Sequence, residues 1–311
     1  MIQELKLGAV FALRNKLLLL SEMVLWQVYV FPFLVLFDWL TLTECAKAVV
    51  DLTHGQDVST VYWPGNVDFN FTITTREQTQ YYWYESNWFG TAEHGGTHLD
   101  SPCHFQKGKW RTHQIPPSRL IGPGIVINVT SQAANNADYK LSISDLESWE
   151  EMHGRIPEGA IVLMHSDWGV RYPNRSLVFN TNEPEKPSTF HFPGFHEDAA
   201  SWLVTRRRVS IVGVDTPSVD HGQSIEFLVH QVLGQHNVPD LENVANLRQL
   251  PAKGFTVFVG VIKLVGGSGG PARILAVVDD DSEPSRGYVC LGVPALLIAE
   301  LLFHIVHHNL F

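Results

Sequence analysis

The sequence predicts one α/β domain. Between about Val49 and Asp280, short β-branched apolar runs alternate with helix-like segments, and no Pro/Gly/Ser-rich stretch is long enough to act as a linker between them. Size agrees: 311 residues, 45% hydrophobic and 17% charged, can bury one large core with the composition of an ordinary globular protein.

Taken in chain order, residues 1–48 are expected to be a targeting segment. From Met23 the chain reads MVLWQVYVFPFLVLFDWLTLTECAKA, an apolar stretch interrupted by Asp38 and closed by Ala46-Lys47-Ala48, the small-x-small form of a signal-peptidase site. Lys6, Arg14 and Lys16 form a basic lead-in, unless translation starts at Met23. The alternative is a buried or membrane-anchoring helix. Three Asn-x-Ser/Thr sequons, at Asn70, Asn128 and Asn174, are compatible with passage through the lumen. The expected destination is therefore the cell surface or the extracellular space.

The body, residues 49–280, should contain strands at GIVINV, AIVLMHS, VSIVGVDT, FTVFVGVIKL and RILAVV, each a short β-branched run of the kind a buried sheet requires. Ser144 and Glu147 are spaced as a capping box for a helix over DLESWEEMH, which Gly154 ends. A second helix is expected from Glu197 to Arg207. A third should begin near Ser224 in SIEFLVHQVLG, with Ile225, Leu228, Val229 and Val232 on one face. Tyr172 to Pro193, rich in Pro, Asn and Thr, reads as a surface loop able to fold over a pocket. Residues 281–311 join a polar spacer to a hydrophobic tail. That order resembles a glycolipid-anchor signal with Asp281 or Ser282 as attachment site, although Glu300 and His304 interrupt it and a docked amphipathic helix is the alternative.

Charge and cysteine content narrow the function. A formal net charge of -10 without a basic stripe excludes a phosphate-neutralising surface, so nucleic acid is not an expected partner. Cys45, Cys103 and Cys290 lie too far apart for a Cys-x-x-Cys site, and Cys103 and Cys290 are expected to be free thiols.

The chemistry concentrates in HGGTHLDSPCHF, which places His94, His98, Asp100 and His104 within eleven residues. Imidazole and carboxylate donors together suit zinc, manganese or iron(II), and three of them leave positions open for water and substrate. The two glycines let His94 and His98 converge without a helix, while alternation points Leu99 away from His98 and Asp100. His104, four residues beyond Asp100, is the natural general base and acid. The rival reading makes it a ligand.

HGGTHLDSPCH resembles the His-x-Gly-Thr-His-x-Asp-x-Pro-x-His signature of the cyclase-like hydrolases, a family that includes bacterial kynurenine formamidases and isatin hydrolases. The likeness continues through DLTHGQ, the WPG at Trp63, VDTPSVDHGQS, LENVANL and GGSGGPARILA, the last three closer to the isatin-hydrolase branch. It implies a compact fold around a mixed β-sheet or barrel with flanking helices, a homo-oligomer, and hydrolysis of a small aryl amide or lactam. It implies metal binding by His94, His98 and Asp100 and catalysis by His104. In the formamidase branch a second ion is held by the same aspartate with a later His and Glu twelve residues apart, the spacing of His230 and Glu242. The cofactor is thus one or two divalent ions per chain, zinc or manganese. Gln231 is an alternative donor to a single-ion site.

Three other features carry competing readings. Asp215 and Asp220 flank Pro217 at a strand end, where active-site groups and caps both occur. The run YYWYESNWF, Tyr81 to Phe89, could line an aryl pocket or pack as ordinary strand. GGSGG at Gly266 to Gly270 fits the spacing of a serine-esterase elbow, but that elbow needs a helix after the turn and RILAVV is strand-like. Ser268 as nucleophile, and a non-catalytic metal-binding surface protein, are the rival functions.

Overall fold

The computed structural model describes residues 48–279. The expected targeting segment, the C-terminal tail and Cys290 lie outside these residues.

The strands are β1 (Val49–Asp51), β2 (Asn70–Gln78), β3 (Trp83–Gly90), β4 (His98–Asp100), β5 (Ile121–Asn128), β6 (Lys140–Leu141), β7 (Ile161–His165), β8 (Gly194–Phe195), β9 (Ile211–Val214), β10 (Asp240–Glu242), β11 (Phe255–Val261) and β12 (Gly269–Val278). The helices are α1 (Thr130–Asn135), α2 (Ile143–His153), α3 (Arg175–Val178), α4 (Glu197–Trp202) and α5 (Leu228–Gln235). All five predicted strands are present, as β5, β7, β9, β11 and β12.

The main sheet runs β1-β12-β11-β5-β7-β9-β10-β4, and β4 also pairs with β12. That last pairing closes seven strands into a mixed barrel, with β1 lying along β12. The ladders from β5 through β7 and β9 to β10 are parallel, and the rest are antiparallel.

Alternation along the parallel strands divides two cores. Val126, Ile161, Leu163 and Ile211 point into the barrel, where they meet Leu99, Leu241, Phe255, Val257 and Ile274. Their neighbours Ile125, Ile127, Val162, Met164, Val212 and Val214 point outward onto Leu146 and Trp149 of α2, Ala199 and Ala200 of α4, and Val229 and Leu233 of α5. Both faces are covered, which is why these strands are continuous apolar runs. Each fully buried large side chain contributes roughly 1.5–3 kcal/mol of transfer free energy.

Two helix starts differ from the sequence reading. The helix over DLESWEEMH begins at Ile143, capped by Ser142 and Asp145 rather than Ser144 and Glu147. The Asp145 carboxylate accepts from the Ser142 amide and hydroxyl and from the Tyr139 hydroxyl, so three donors fix it upstream. Gly154 ends the helix with φ 86°, as expected. The third helix begins at Leu228, not Ser224, because Phe227 sits in the left-handed region at φ 52°. Ile225 is consequently 87% exposed, and the buried face is Val229, His230 and Leu233.

The segment from Tyr172 to Pro193 is more than a surface loop. It buries Val178, Phe179, Phe190 and Phe192 against Val61 and Trp168, and Trp63 packs edge-on to Phe179 and Phe190. β2 and β3 pair only with each other and carry the aromatic run, which neither lines a pocket nor packs a core: Tyr81 to Tyr84, Trp88 and Phe89 are all exposed. No helix among the described residues is long and apolar enough to cross a membrane.

Candidate metal centre

The barrel closes over a cluster of polar side chains. β4 and β10 lie antiparallel, Glu242 opposite His98, Leu241 opposite Leu99 and Asp240 opposite Asp100. Side chains alternate across a strand, so the two leucines enter the barrel core and the four polar groups emerge together on the other face. None of these four is more than 6% exposed.

His94 joins them from the turn before β4, where Gly96 adopts φ 58°. β12 flanks β4 on its other side with Gly269 opposite Asp100, and a Cβ at Gly269 would stand 2.5 Å from the His94 ring. A glycine is required there. His94 Nδ1 lies 2.6 Å from Asp100 Oδ1, and its Nε2 lies 2.9 Å from Ser268 Oγ. Ser268 donates its hydroxyl proton to Glu93 Oε2 at 2.5 Å, and strand β12 rather than a helix follows it. Its hydroxyl thus braces the outer edge of His94, in surroundings unlike those of a nucleophile elbow.

His98 donates from Nδ1 to the Gly96 carbonyl at 2.9 Å, which aims Nε2 into the cluster. That nitrogen is buried without a hydrogen-bond partner, 3.2 Å from Asp100 Oδ1 and 3.4 Å from Glu242 Oε2. His230, on α5, is held by Asp220: the carboxylate accepts from its Nδ1 at 2.6 Å and from the amides of Val229 and His230. Its Nε2 lies 3.2 Å from Glu242 Oε1 and 3.6 Å from Asp100 Oδ2. A carboxylate fixing one imidazole nitrogen while the other faces inward is the arrangement that orients metal-binding histidines.

His104 stacks on His94 with ring centroids 3.9 Å apart and brings Nε2 to 3.6 Å from Asp100 Oδ2. About a third of its side chain, 32%, remains open to solvent. Burial of the rest of the ring pushes its pKa down to about 4, so the ring is neutral at neutral pH.

The fold therefore brings His94, His98, Asp100, His104, His230 and Glu242 into one place. Gln231 is not there; its side chain bonds the Glu226 carbonyl. Asp240 is a member that the sequence reading missed. Asp220 buttresses His230, whereas Asp215 takes the Ser166 hydroxyl and the amides of Ser166 and Trp168 and shapes the loop after β7.

The donor set fits divalent ions. Donor atoms of Asp100, His230, Asp240 and Glu242 lie within 4.8 Å of one another, as do those of His94, Asp100 and His104. In the metal-free chain the charge must be met by protons. Burial opposes a charged His98, yet Asp100 and Glu242 raise it to about 9. Burial likewise disfavours the cation at His230, but Asp240 and Asp100 hold it well above the usual imidazole range. Burial pushes the Asp240 carboxyl well above the usual carboxylate range. Asp100 remains well below it, because His94, His230 and His98 outweigh the cost of burial. A buried acidic cluster whose charge is met only by protons favours a cation, and His98 Nε2, which no hydrogen bond holds, is placed to face one.

A cavity of about 200 Å³ opens onto the cluster, walled by Tyr62, Trp63, Phe105, Phe179 and Phe227, with Asn66, Ser218 and Asn243 as polar points. These rings come from the segment around WPG, from the residue after His104, from the Tyr172–Pro193 segment and from the residue before α5.

Comparison with known proteins agrees with this geometry. A family profile described as putative cyclase matches residues 50–221. The chain is 33% identical over 200 residues to an isatin hydrolase of Roseibium aggregatum, covering 62% of this chain and 74% of that protein. It is 25% identical to a kynurenine formamidase of Salinibacter ruber over 237 residues, 76% of this chain and 100% of that one. Isatin hydrolase A from Ralstonia solanacearum superposes with a TM-score of 0.68 at 31% identity, covering 75% of this chain and 92% of its own.

Proposed function

The chain belongs to the putative cyclase family, and from that premise we propose that it is a divalent-metal hydrolase that opens the lactam of an isatin-like aryl substrate, with an aryl formamide as the second substrate class. One observation carries this reading: a neutral His104 stands over the Asp100-centred donor cluster at the floor of an aromatic-walled cavity. The order of the two substrates follows the likeness to isatin hydrolases in both sequence and fold.

His94, His98 and Asp100 would hold the ion, and their nitrogen and oxygen donors without sulfur suit zinc or manganese. A divalent ion there supplies a more acidic water and a polarised carbonyl. The remaining work falls to the chain. Tyr62, Trp63, Phe105, Phe179 and Phe227 hold the flat aryl ring and exclude bulk water. His104 takes the proton from the attacking water as the new carbon–oxygen bond forms, then gives it to the nitrogen as the carbon–nitrogen bond breaks; the acid so formed loses its remaining proton to solvent and, in a lactam, stays attached to the opened product.

The test is turnover of isatin and of N-formylkynurenine by the purified chain, with and without a chelator. Loss on chelation and recovery on adding zinc or manganese is the expected result. Chelator-resistant turnover abolished by Ser268→Ala would restore the serine mechanism, and a metal-loaded chain inert to both amides would favour a binding protein.

Two expectations about context belong to the same proposal. Secretion is supported by Asn70, Asn128 and Asn174 all being exposed, and a glycosidase-sensitive mass shift in the secreted protein would test it. Homo-oligomerisation is supported by the aromatic β2–β3 arm. Its sole basic residue, Arg76, is already paired with Glu85, which gives an anionic membrane little to attract and favours a protein surface.

A further inference from the structure

Asp240 carries the next step. It lies across the ladder from Asp100, its side chain is 6% exposed, and its Oδ2 is buried without a hydrogen-bond partner among the described residues. It is 3.8 Å from His230 Nε2, which is also 3.6 Å from Asp100 Oδ2 and 3.2 Å from Glu242 Oε1. Four donors bound to one ion at roughly 2.0–2.2 Å stand roughly 3.3 Å apart in a tetrahedron. Two of these three separations are too long for hydrogen bonds, yet all are near that ligand spacing.

Charge points the same way. Among the described residues no lysine or arginine pairs with Asp100, Asp240 or Glu242, whose ion-pair contacts are all with histidines. Asp220 is compensated separately, by two backbone amides and the His230 Nδ1 proton. With neutral imidazoles the three remaining carboxylates bring a charge of about -3; one divalent ion leaves about -1 in a buried place, and two leave about +1. A positive remainder suits a site that must attract a carbonyl oxygen and hold a departing carboxylate.

We propose that Asp240 is a further ligand of the second divalent ion that Asp100, His230 and Glu242 would hold. The proposal rests on the metal reading above. Asp100 presents Oδ1 toward His98 and Oδ2 toward His230. The spacing of His230 and Glu242 draws attention in the sequence, but the ion they would hold is completed by Asp240.

The experiment uses the full chain stripped of metal and titrated with manganese(II), following bound ions by equilibrium dialysis and their magnetic coupling by electron paramagnetic resonance. The wild type should take up two ions and give a coupled spectrum. Asp240→Asn should weaken the second ion by at least the roughly 10–100-fold that loss of even an outer-shell partner costs, and return the six-line spectrum of an isolated ion. If that variant fails to fold, anomalous scattering from manganese-soaked wild-type crystals decides, with a second peak expected roughly 2.2 Å from an Asp240 oxygen. A single ion in the wild type, unchanged second-ion affinity in Asp240→Asn, or a second peak remote from Asp240 overturns the proposal. Two coupled ions in a chain that opens no amide would leave it standing and sink the proposed function. A one-ion chain with full hydrolysis does the reverse.

Discussion

On β4 and β10 the chain buries His98, Asp100, Asp240 and Glu242, whereas on β2 it exposes Phe71 and on β3 Trp83, Tyr84, Trp88 and Phe89. Both regions are antiparallel pairs with alternating side chains, so strand geometry alone does not account for the contrast. Coverage does. β4 is hydrogen-bonded on both edges, to β10 and β12, and α5 brings His230 against its polar face; β2 and β3 have only each other. Polar residues are held inside where neighbours supply their partners, save His98 Nε2 and Asp240 Oδ2, the two atoms of the cluster without one. An aromatic stays outside where the chain offers no second layer.

The contrast can be broken most forcefully at its polar end. His104→Ala should lower kcat by roughly 10²–10⁴ with bound metal unchanged, read by turnover beside elemental analysis. Metal lost together with the ring would make His104 a ligand instead. A smaller effect sharpens the role of the surroundings: Asp220→Asn, which removes the carboxylate behind His230, should weaken metal binding by roughly 10–100-fold in competition with a chromophoric chelator.

Acid stability comes next. His54 stacks on Tyr172 at 4.0 Å, and burial lowers its pKa from 6.5 to about 4. The unfolded chain therefore binds a proton that the folded chain refuses. Stability from this residue is complete above pH 6.5 and falls as pH drops from 6.5 toward 4, by on the order of 2 kcal/mol once its partial exposure is discounted. His54→Phe keeps the stacking and should flatten that part of the stability–pH curve in denaturant titrations. An unchanged slope would place the acid sensitivity elsewhere.

The smallest effect on folding is expected at the arm. Trp83→Ser with Trp88→Ser should shift unfolding by no more than about 0.5 kcal/mol, since each ring is more than half exposed, while sedimentation moves toward the monomer. A large loss of stability would mean that the arm is packed, and the contrast with β4 and β10 would collapse.

Much of the centre was legible because four donors fall within eleven residues, dense enough to be recognised without knowing their neighbours. His230 and Glu242 were legible only through resemblance. Asp240 escaped because an acidic residue near a turn reads as solvated, although Asp240-Leu241-Glu242 repeats the polar–leucine–polar order of His98-Leu99-Asp100 and could have been recognised as its partner strand. The five apolar strands were visible in composition. Barrel closure was legible only through resemblance, as one of two options beside an open mixed sheet, since it depends on two three-residue strands too short to leave a periodic signal. The start of α5 at Leu228 and not near Ser224 has a local cause: Phe227 turns left-handed, and the Asp220 carboxylate caps the amides that follow. The aromatic run left aryl-pocket lining and strand packing both open, and its position depends on what the rest of the fold leaves uncovered.

The pairing of β4 with β12 also sets an order of events during synthesis. His98 and Asp100 leave the ribosome about 170 residues before Gly269–Pro271, the segment that closes their ladder. Until that last strand arrives, the first donors of the centre have no fixed geometry, and the ion can be captured in its final coordination only by a finished domain.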